Sequence, residues 1–319
     1  MMLVRHAEDQ DIPQIVELLK TSLGENLMPK SETYWRWKHV DNPFGSSPVL
    51  VAEESGQLIG VRAFMRWEWT DGEQVYKTVR AVDTATHPAH QGKGIFKKLT
   101  LQLIDECKAD GVHFIFNTPN TQSRPGYLKM GWKDAGQLPI RIFFGNPLAA
   151  LASRTSNDAT NEIQVSELLT NGSMGNLLEA DKIVNLKHLT TQYSVAYLKW
   201  RYSQVPVTTY QGMISETGSD REMLIYRLKK SKIGGELRVT DYFSNRSVIS
   251  APMLKSLRQI ANRTGATHLT FSGAKNRIAA GFTIRKGPMV TIRDIQFQKI
   301  SALHDFQYWQ PSLGDLELF

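Results

Sequence analysis

The chain has 319 residues, 41% hydrophobic and 22% charged, with a formal net charge of +7 and a pI near 9.3. That balance is ordinary for a globular protein and supplies enough apolar material for two cores. A single cysteine, Cys107, excludes a disulfide scaffold, and the apolar runs, such as Val49 to Ala52, are too short to span a bilayer. The opening MMLVRHAEDQD turns acidic where a signal peptide would be apolar, so a cytoplasmic protein that does not enter the membrane is expected. The eight histidines show no metal-ligand spacing, so no metal is expected. The positive charges are scattered. Their densest group, Arg227, Lys229, Lys230 and Lys232, reads as a solvated strand end and its turn, which argues against a nucleic-acid partner.

Asp11-Ile12-Pro13-Gln14 reads as a helix start, with a carboxylate at the N-cap and an early proline, and Ile12, Leu19 and Leu23 then fall on one face. A second helix is predicted from Ser31 to Val40, stopped by Asn42-Pro43. Strands follow at 47–54 and 58–68, joined by a turn at Glu54-Ser55-Gly56. Thr70-Asp71-Gly72 signals a hairpin into a third strand, 75–86. After a glycine stretch comes a helix to about Asp110, with Phe96, Leu99, Leu103 and Cys107 as its apolar stripe and Gly111 as its stop. Residues 112–116 form a short buried strand, and a short helix and a strand pair close the first unit near Phe144.

The small, aperiodic residues that follow set a boundary: a first domain 1–145, a linker 146–162 and a second domain 163–319. The second half looks like a copy of the first. Tyr34 to Pro43 can be laid on Tyr197 to Pro206, matching Tyr34 with Tyr197, Trp37 with Trp200 and Pro43 with Pro206. Cys107 to Phe114 and Ala261 to His268 share a helix–glycine–strand pattern.

The glycine stretch, Gln91-Gly92-Lys93-Gly94, lies between a strand and a helix. Glycines there let a ligand approach the backbone. The first amides of the helix lack intrahelical acceptors and sit at the positive end of its dipole, so the turn can hold a pyrophosphate. It is neither a GxGxxG nor a Walker A sequence.

Gln91-Gly92-Lys93-Gly94-Ile95-Phe96 resembles the Arg/Gln-x-x-Gly-x-Gly/Ala signature of the GNAT superfamily of acyl-CoA-dependent N-acyltransferases. Phe96 departs from that pattern, standing where the family has a small residue. Asn120 to Trp132 is similar to the family's Asn-x-x-Ala-x-x-x-Tyr-x-Lys-x-Gly-Phe, and it falls after the expected strand. The resemblance covers residues 1–145 well and 163–319 weakly. It implies an α/β (α+β) GNAT fold, a mixed central sheet flanked by helices, duplicated as a degenerate second domain. In the second copy, Ser272 to Asn276 and Ala279 to Phe282 match the closing region without its tyrosine.

By the same resemblance, acetyl-CoA is the acyl donor, held by the backbone of Thr84, Ala85 and Thr86, by Gln91, Gly92, Lys93, Gly94, Ile95 and Phe96, and by Asn120 at the pantetheine arm. Tyr127 protonates the departing thiolate. Asp83 is the candidate general base, with His87 as its neighbour. Trp35, Trp37, Phe64, Arg66, Trp67 and Trp69 either wall an acceptor groove or build the core. The acceptor is expected to be the amine of a small molecule such as an amino sugar, and self-association is left open. Two alternatives stand beside this reading: an aminoacyl-tRNA-dependent peptidyltransferase and a non-catalytic acyl-CoA-binding protein.

Overall fold

A computed structural model describes the chain except residues 25–28, 145–162, 171, 173, 232–233, 275–280, 299 and 317–319. The expected linker 146–162 and much of the closing region of the second copy therefore lie outside the described residues. β1 (Leu3–His6) leads into α1 (Ile12–Leu23) and α2 (Glu32–His39). Asp11 precedes α1 as expected, yet its carboxylate does not cap that helix. It holds Arg5 at 2.6 Å and accepts from the Glu8 amide at 2.7 Å. Ser31 does cap α2, accepting from the Tyr34 amide at 3.1 Å. Then come β2 (Val49–Glu54), β3 (Gln57–Thr70), β4 (Val75–Thr86), α3 (Ile95–Ala109), β5 (Phe114–Asn117), α4 (Arg124–Lys129), β6 (Lys133–Gln137) and β7 (Ile140–Phe144). The second half supplies β8 (Ile163–Gln164), β9 (Thr190–Thr191), β10 (Gln211–Thr217), β11 (Asp220–Ser231), β12 (Gly234–Ser244), β13 (Ala266–Ser272), β14 (Phe282–Ile284) and β15 (Met289–Asp294). Its main helices are Met174–Val184 and Ala251–Thr264.

The first sheet runs β1-β2-β3-β4-β5-β15-β6, with β9 added on β3 outside this order, and the second runs β8-β10-β11-β12-β13-β7-β14. The two orders correspond strand for strand. Each sheet has one parallel step, β4–β5 and β12–β13. In each, the next strand comes from the other half of the chain: β15 pairs with β5 and β6, and β7 pairs with β13 and β14.

The sheets therefore do not divide at the 146–162 stretch, and β6 and β7 are not the strand pair that the sequence suggests. Only Leu138 and Pro139 separate them, without the positive-φ residues that a tight hairpin uses. Pro139 has no amide to donate, and its carbonyl accepts from the Gly273 amide at 2.7 Å, which directs the chain into the second sheet.

The matched repeat segments meet face to face. The Trp37 and Trp200 rings stack with centroids 4.6 Å apart. Each indole N–H donates to the other residue's carbonyl, at 2.8 and 2.7 Å. Ser194 caps Tyr197 just as Ser31 caps Tyr34. This pseudo-symmetric contact fits the duplication expected from the sequence. It also continues into one shared core, in which Trp67 and Phe116 of the first half pack with Trp200, Phe243 and Trp309 of the second.

A fragment of residues 1–145 is thus expected to lose the strand between β5 and β6 and the apolar cover of Trp67 and Trp69. It should show no cooperative thermal transition by circular dichroism. A sharp melt close to that of the whole chain would contradict this arrangement.

Candidate active site

The parallel pairing of β4 with β5 stops at Arg80 and Phe116. Beyond that point the strands separate, and two cavities open along β4. One, of about 690 Å³, runs from Ser22 and Thr84 to the turn before α3 and back to Tyr127. The other, of about 550 Å³, lies between Lys38, Arg80 and Asp83 of the first half and Arg227, Lys229 and Leu316 of the second. Thr84, Asn120, Ser123 and Tyr127 belong to both linings, so the cavities adjoin there.

All of the expected coenzyme residues except Lys93 line the larger cavity. Lys93 is exposed and lies 3.3 Å from Nδ1 of His90. Gly92 and Gly94 both have φ near +77°, and a Cβ on either would meet nothing within 4 Å. The chain thus uses glycine for its left-handed turn and leaves open space in front of the helix. Gly94, Ile95, Phe96 and Lys97 at the start of α3 line this space. Phe96 does not turn away from the site. It is half-buried, lines the cavity and makes a T-shaped contact with Tyr127, ring centroids 5.6 Å apart. Asn120 shapes the loop before α4, its Oδ1 accepting from the amides of Gln122 and Ser123 at 3.1 and 2.8 Å.

Tyr127 is 4% exposed. Its oxygen accepts from Nη1 of Arg62 at 2.8 Å. The hydroxyl can still donate its own proton, and Tyr127 lines both cavities. Arg62 is fully buried, has no carboxylate partner among the described residues and stands over the rings of Phe64, Tyr127 and Phe96 at 4.7, 5.2 and 5.6 Å. It also bonds the Thr84 hydroxyl, while its Nε and Nη2 have no hydrogen-bond partner among the described residues. A cation so placed is costly for folding and puts a positive charge beside the Tyr127 hydroxyl.

Asp83 is the extra residue of a β-bulge, opposite the step from Arg62 to Ala63, and its φ is +43°. Left-handed backbone at a non-glycine residue marks strain at a functional place. Its Oδ2 takes Nζ of Lys38 and Nε2 of His39, both at 2.8 Å. Burial alone would raise the Asp83 pKa, but the charge of Lys38 and the hydrogen bond from His39 hold it well below the usual carboxylate range. Burial would likewise lower Lys38, yet Asp83 keeps its pKa above the ordinary value. His39 is shifted down, mainly by burial, and its Nδ1 meets the Ser47 hydroxyl at 2.9 Å. An ionised Asp83 of this kind accepts a proton poorly and holds a cation well. His87 lines neither cavity, its Nδ1 accepting from the Ala89 amide in the following turn.

The aromatic set at 35–69 forms core, not a groove wall. Trp35, Trp37, Phe64, Trp67 and Trp69 are buried and line neither cavity. Arg66 pairs with Asp110 at 2.7 Å. The sequence reading had no signal for Arg62, Lys38, His39 or Arg80, because each is brought to the site by sheet register or by a helix packed across it. Among the described residues, no cluster of three or more His, Cys, Asp or Glu could hold a metal ion, and no helix is long and apolar enough to cross a membrane.

Residues 3–135 match the family model described as an acetyltransferase (GNAT) domain. The chain is 29% identical over 154 residues to an L-methionine sulfoximine/L-methionine sulfone acetyltransferase of Salmonella typhimurium, covering 45% of this chain and 88% of that protein. It is 34% identical over 95 residues to an L-amino acid N-acyltransferase of Escherichia coli, covering 29% of this chain and 54% of that one. Two solved structures resemble nearly the whole chain in fold. A conserved Enterococcus faecalis protein has a TM-score of 0.67 at 10% identity, covering 93% of this chain and 74% of that one. A GCN5-related N-acetyltransferase of Anabaena variabilis has a TM-score of 0.65 at 15% identity, covering 92% and 73%.

Proposed function

We propose that the protein is an acetyl-CoA-dependent N-acetyltransferase acting on the primary amine of a small molecule. The observation that carries this reading is the pair of cavities adjoining at Thr84 and Tyr127: one suits a nucleotide-bearing thioester, the other an acceptor. Bound acetyl-CoA would supply the activated acyl group. The larger cavity would hold it through the amides at the start of α3 and through the edge of β4 at Thr84 to Thr86, which can pair with an extended amide-bearing arm. Asp83 would orient the acceptor ammonium, which would give one proton to water before its nitrogen bonds the acyl carbon and a second as the carbon–sulfur bond breaks. Tyr127 gives its hydroxyl proton to the leaving sulfur. The second sheet walls the acceptor cavity and binds no CoA of its own. Its counterpart of Thr84 is Asp241, which is occupied by Tyr193 and Tyr202, with Gly314 packed beside it.

The test is mass spectrometry of a panel of small amines with acetyl-CoA, alongside calorimetry with CoA. One CoA per chain and an amine gaining an acetyl group are expected. A chain that binds no CoA, or two, would remove the reading. The glycine turn gives a sharper check. Gly94→Asp should weaken CoA binding by about 10-fold or more, because a carboxylate then faces the phosphates. Gly94→Asn tolerates the same left-handed backbone without the charge and should lose much less. Equal affinities for the two variants would show that no phosphate sits there.

A further inference from the structure

Arg62 is a buried charge that the chemistry assigned so far does not use. It lines neither cavity, so it stands behind the walls and not in them. Its Nε and Nη2 are closed to solvent and have no hydrogen-bond partner among the described residues. Both of its hydrogen bonds leave from Nη1, one to the Tyr127 hydroxyl at 2.8 Å and one to the Thr84 hydroxyl. Tyr127 and Thr84 each border both cavities. A cation held this way needs a reason, because burying it without a carboxylate costs more than two bonds to neutral groups offset.

The second sheet shows that the fold does not supply the reason. In each sheet the third and fourth strands share a bulge. β3 breaks step between Arg62 and Ala63, and β11 breaks step between Ile225 and Tyr226. Ile225 thus holds the place that Arg62 holds, and it is equally buried. An apolar side chain satisfies that position. The difference lies in the neighbour, since the closing region of the second copy has no tyrosine in the place of Tyr127.

We propose that Arg62 is a positioning residue for Tyr127, which holds the hydroxyl by its oxygen and answers the negative charge left there once the proton is given up. This rests on the N-acetyltransferase reading and deepens it. As the carbon–sulfur bond breaks, its electron pair goes to sulfur, which takes the Tyr127 proton, and the O–H pair stays on the phenolic oxygen. Arg62 already stands at hydrogen-bond distance from that oxygen, so the ion pair forms without movement. The second proton that the acceptor nitrogen releases then restores the hydroxyl through water. Before the reaction a neutral hydroxyl offsets little of the cost of burying Arg62. A charged oxygen offsets far more, so the contact is stronger in the transition state than in the ground state, as catalysis requires. The bond to Thr84 fixes the same guanidinium nitrogen from β4.

The test is a double-mutant cycle on the whole chain, with acetyl-CoA as donor and the most active amine of the panel as acceptor. Arg62→Met should lower kcat by about 10- to 100-fold, the worth of one hydrogen bond to a charged group. KM for acetyl-CoA, and CoA affinity by calorimetry, should stay unchanged. The variant should melt no lower than the wild type, since Ile225 shows that the place accepts an apolar side chain. In Tyr127→Phe, which has no hydroxyl to hold, the same substitution should change kcat by no more than about 2-fold. Equal losses in the two backgrounds would separate Arg62 from Tyr127, and a wild-type kcat with a lower melting temperature would make it a structural residue. Either overturns the proposal, as does a Tyr127→Phe chain with wild-type kcat. Should Arg62→Met fail to fold, Arg62→Gln takes its place and the same coupling decides. If the wild type acetylates no amine, the transferase reading falls and this role falls with it. If the wild type transfers acetyl and the losses simply multiply, only the positioning role falls.

Discussion

Tyr127→Phe is expected to lower turnover by about 10²- to 10⁴-fold, the usual worth of a positioned general acid. The ring stays, so its edge contacts with Phe96 and Trp132 stay too. Arg62 loses the acceptor of one hydrogen bond, which should cost stability about 1 kcal/mol. CoA affinity should not change, because the phosphate site proposed at residues 91–96 does not use the hydroxyl. Calorimetry, a thermal melt and single-turnover kinetics on one variant separate the possibilities. Turnover near wild type with the same small loss of stability would make Tyr127 a structural residue and return the question of the acid to the cavity.

The second large effect concerns the fold beneath the site. Lys38 and Asp83 form an ion pair whose side chains are only 8% and 15% exposed. Lys38→Met leaves the carboxylate buried beside a neutral imidazole, and removing one partner of such a pair costs about 3–5 kcal/mol. The sign of the pH dependence identifies the cause. In the wild type the Asp83 pKa is depressed, so its contribution is full above 3.8 and is lost as pH falls towards its folded value. Lys38 is raised, so its contribution is full below 10.5 and is lost as pH rises through its folded value. In Lys38→Met, burial instead raises Asp83, so the variant should gain stability as pH falls from 7 towards 4. The double variant with Asp83→Asn should recover most of the loss. Urea midpoints at three pH values decide the matter. A variant whose deficit does not change with pH has lost packing against Tyr34, not charge.

The parts of the site that were legible in the sequence are those carried by short stretches. The glycine turn at 91–94 and Tyr127 each announce themselves through neighbours a few residues away, and the elements around them are set by local periodicity. The repeat at Tyr34 and Tyr197 was legible for the same reason, although nothing in it says that the two tryptophans face each other. The charged surroundings were not legible. Arg62 meets Tyr127 across 65 positions, and Lys38 meets Asp83 across 45, through sheet register and helix packing that no local pattern encodes. Arg227 and Lys229 read as a solvated strand end, and Lys229 is exposed; what the sequence does not show is that both also border a cavity. The closing strand was misplaced because β7 and β15 are both short apolar segments, and pairing partners are chosen by the three-dimensional path, not by composition.

The exchanged strands also bear on the history and handling of the chain. Two halves that trade the same strand in both directions make a domain swap inside one polypeptide. Between two unlinked units the same exchange would need two chains. The joined chain keeps that dependence. A protease cut between residues 145 and 162 should leave two pieces that stay together through β7 and β15. The same pieces, expressed separately, should regain activity on mixing, as a split enzyme whose signal reports that its halves have met.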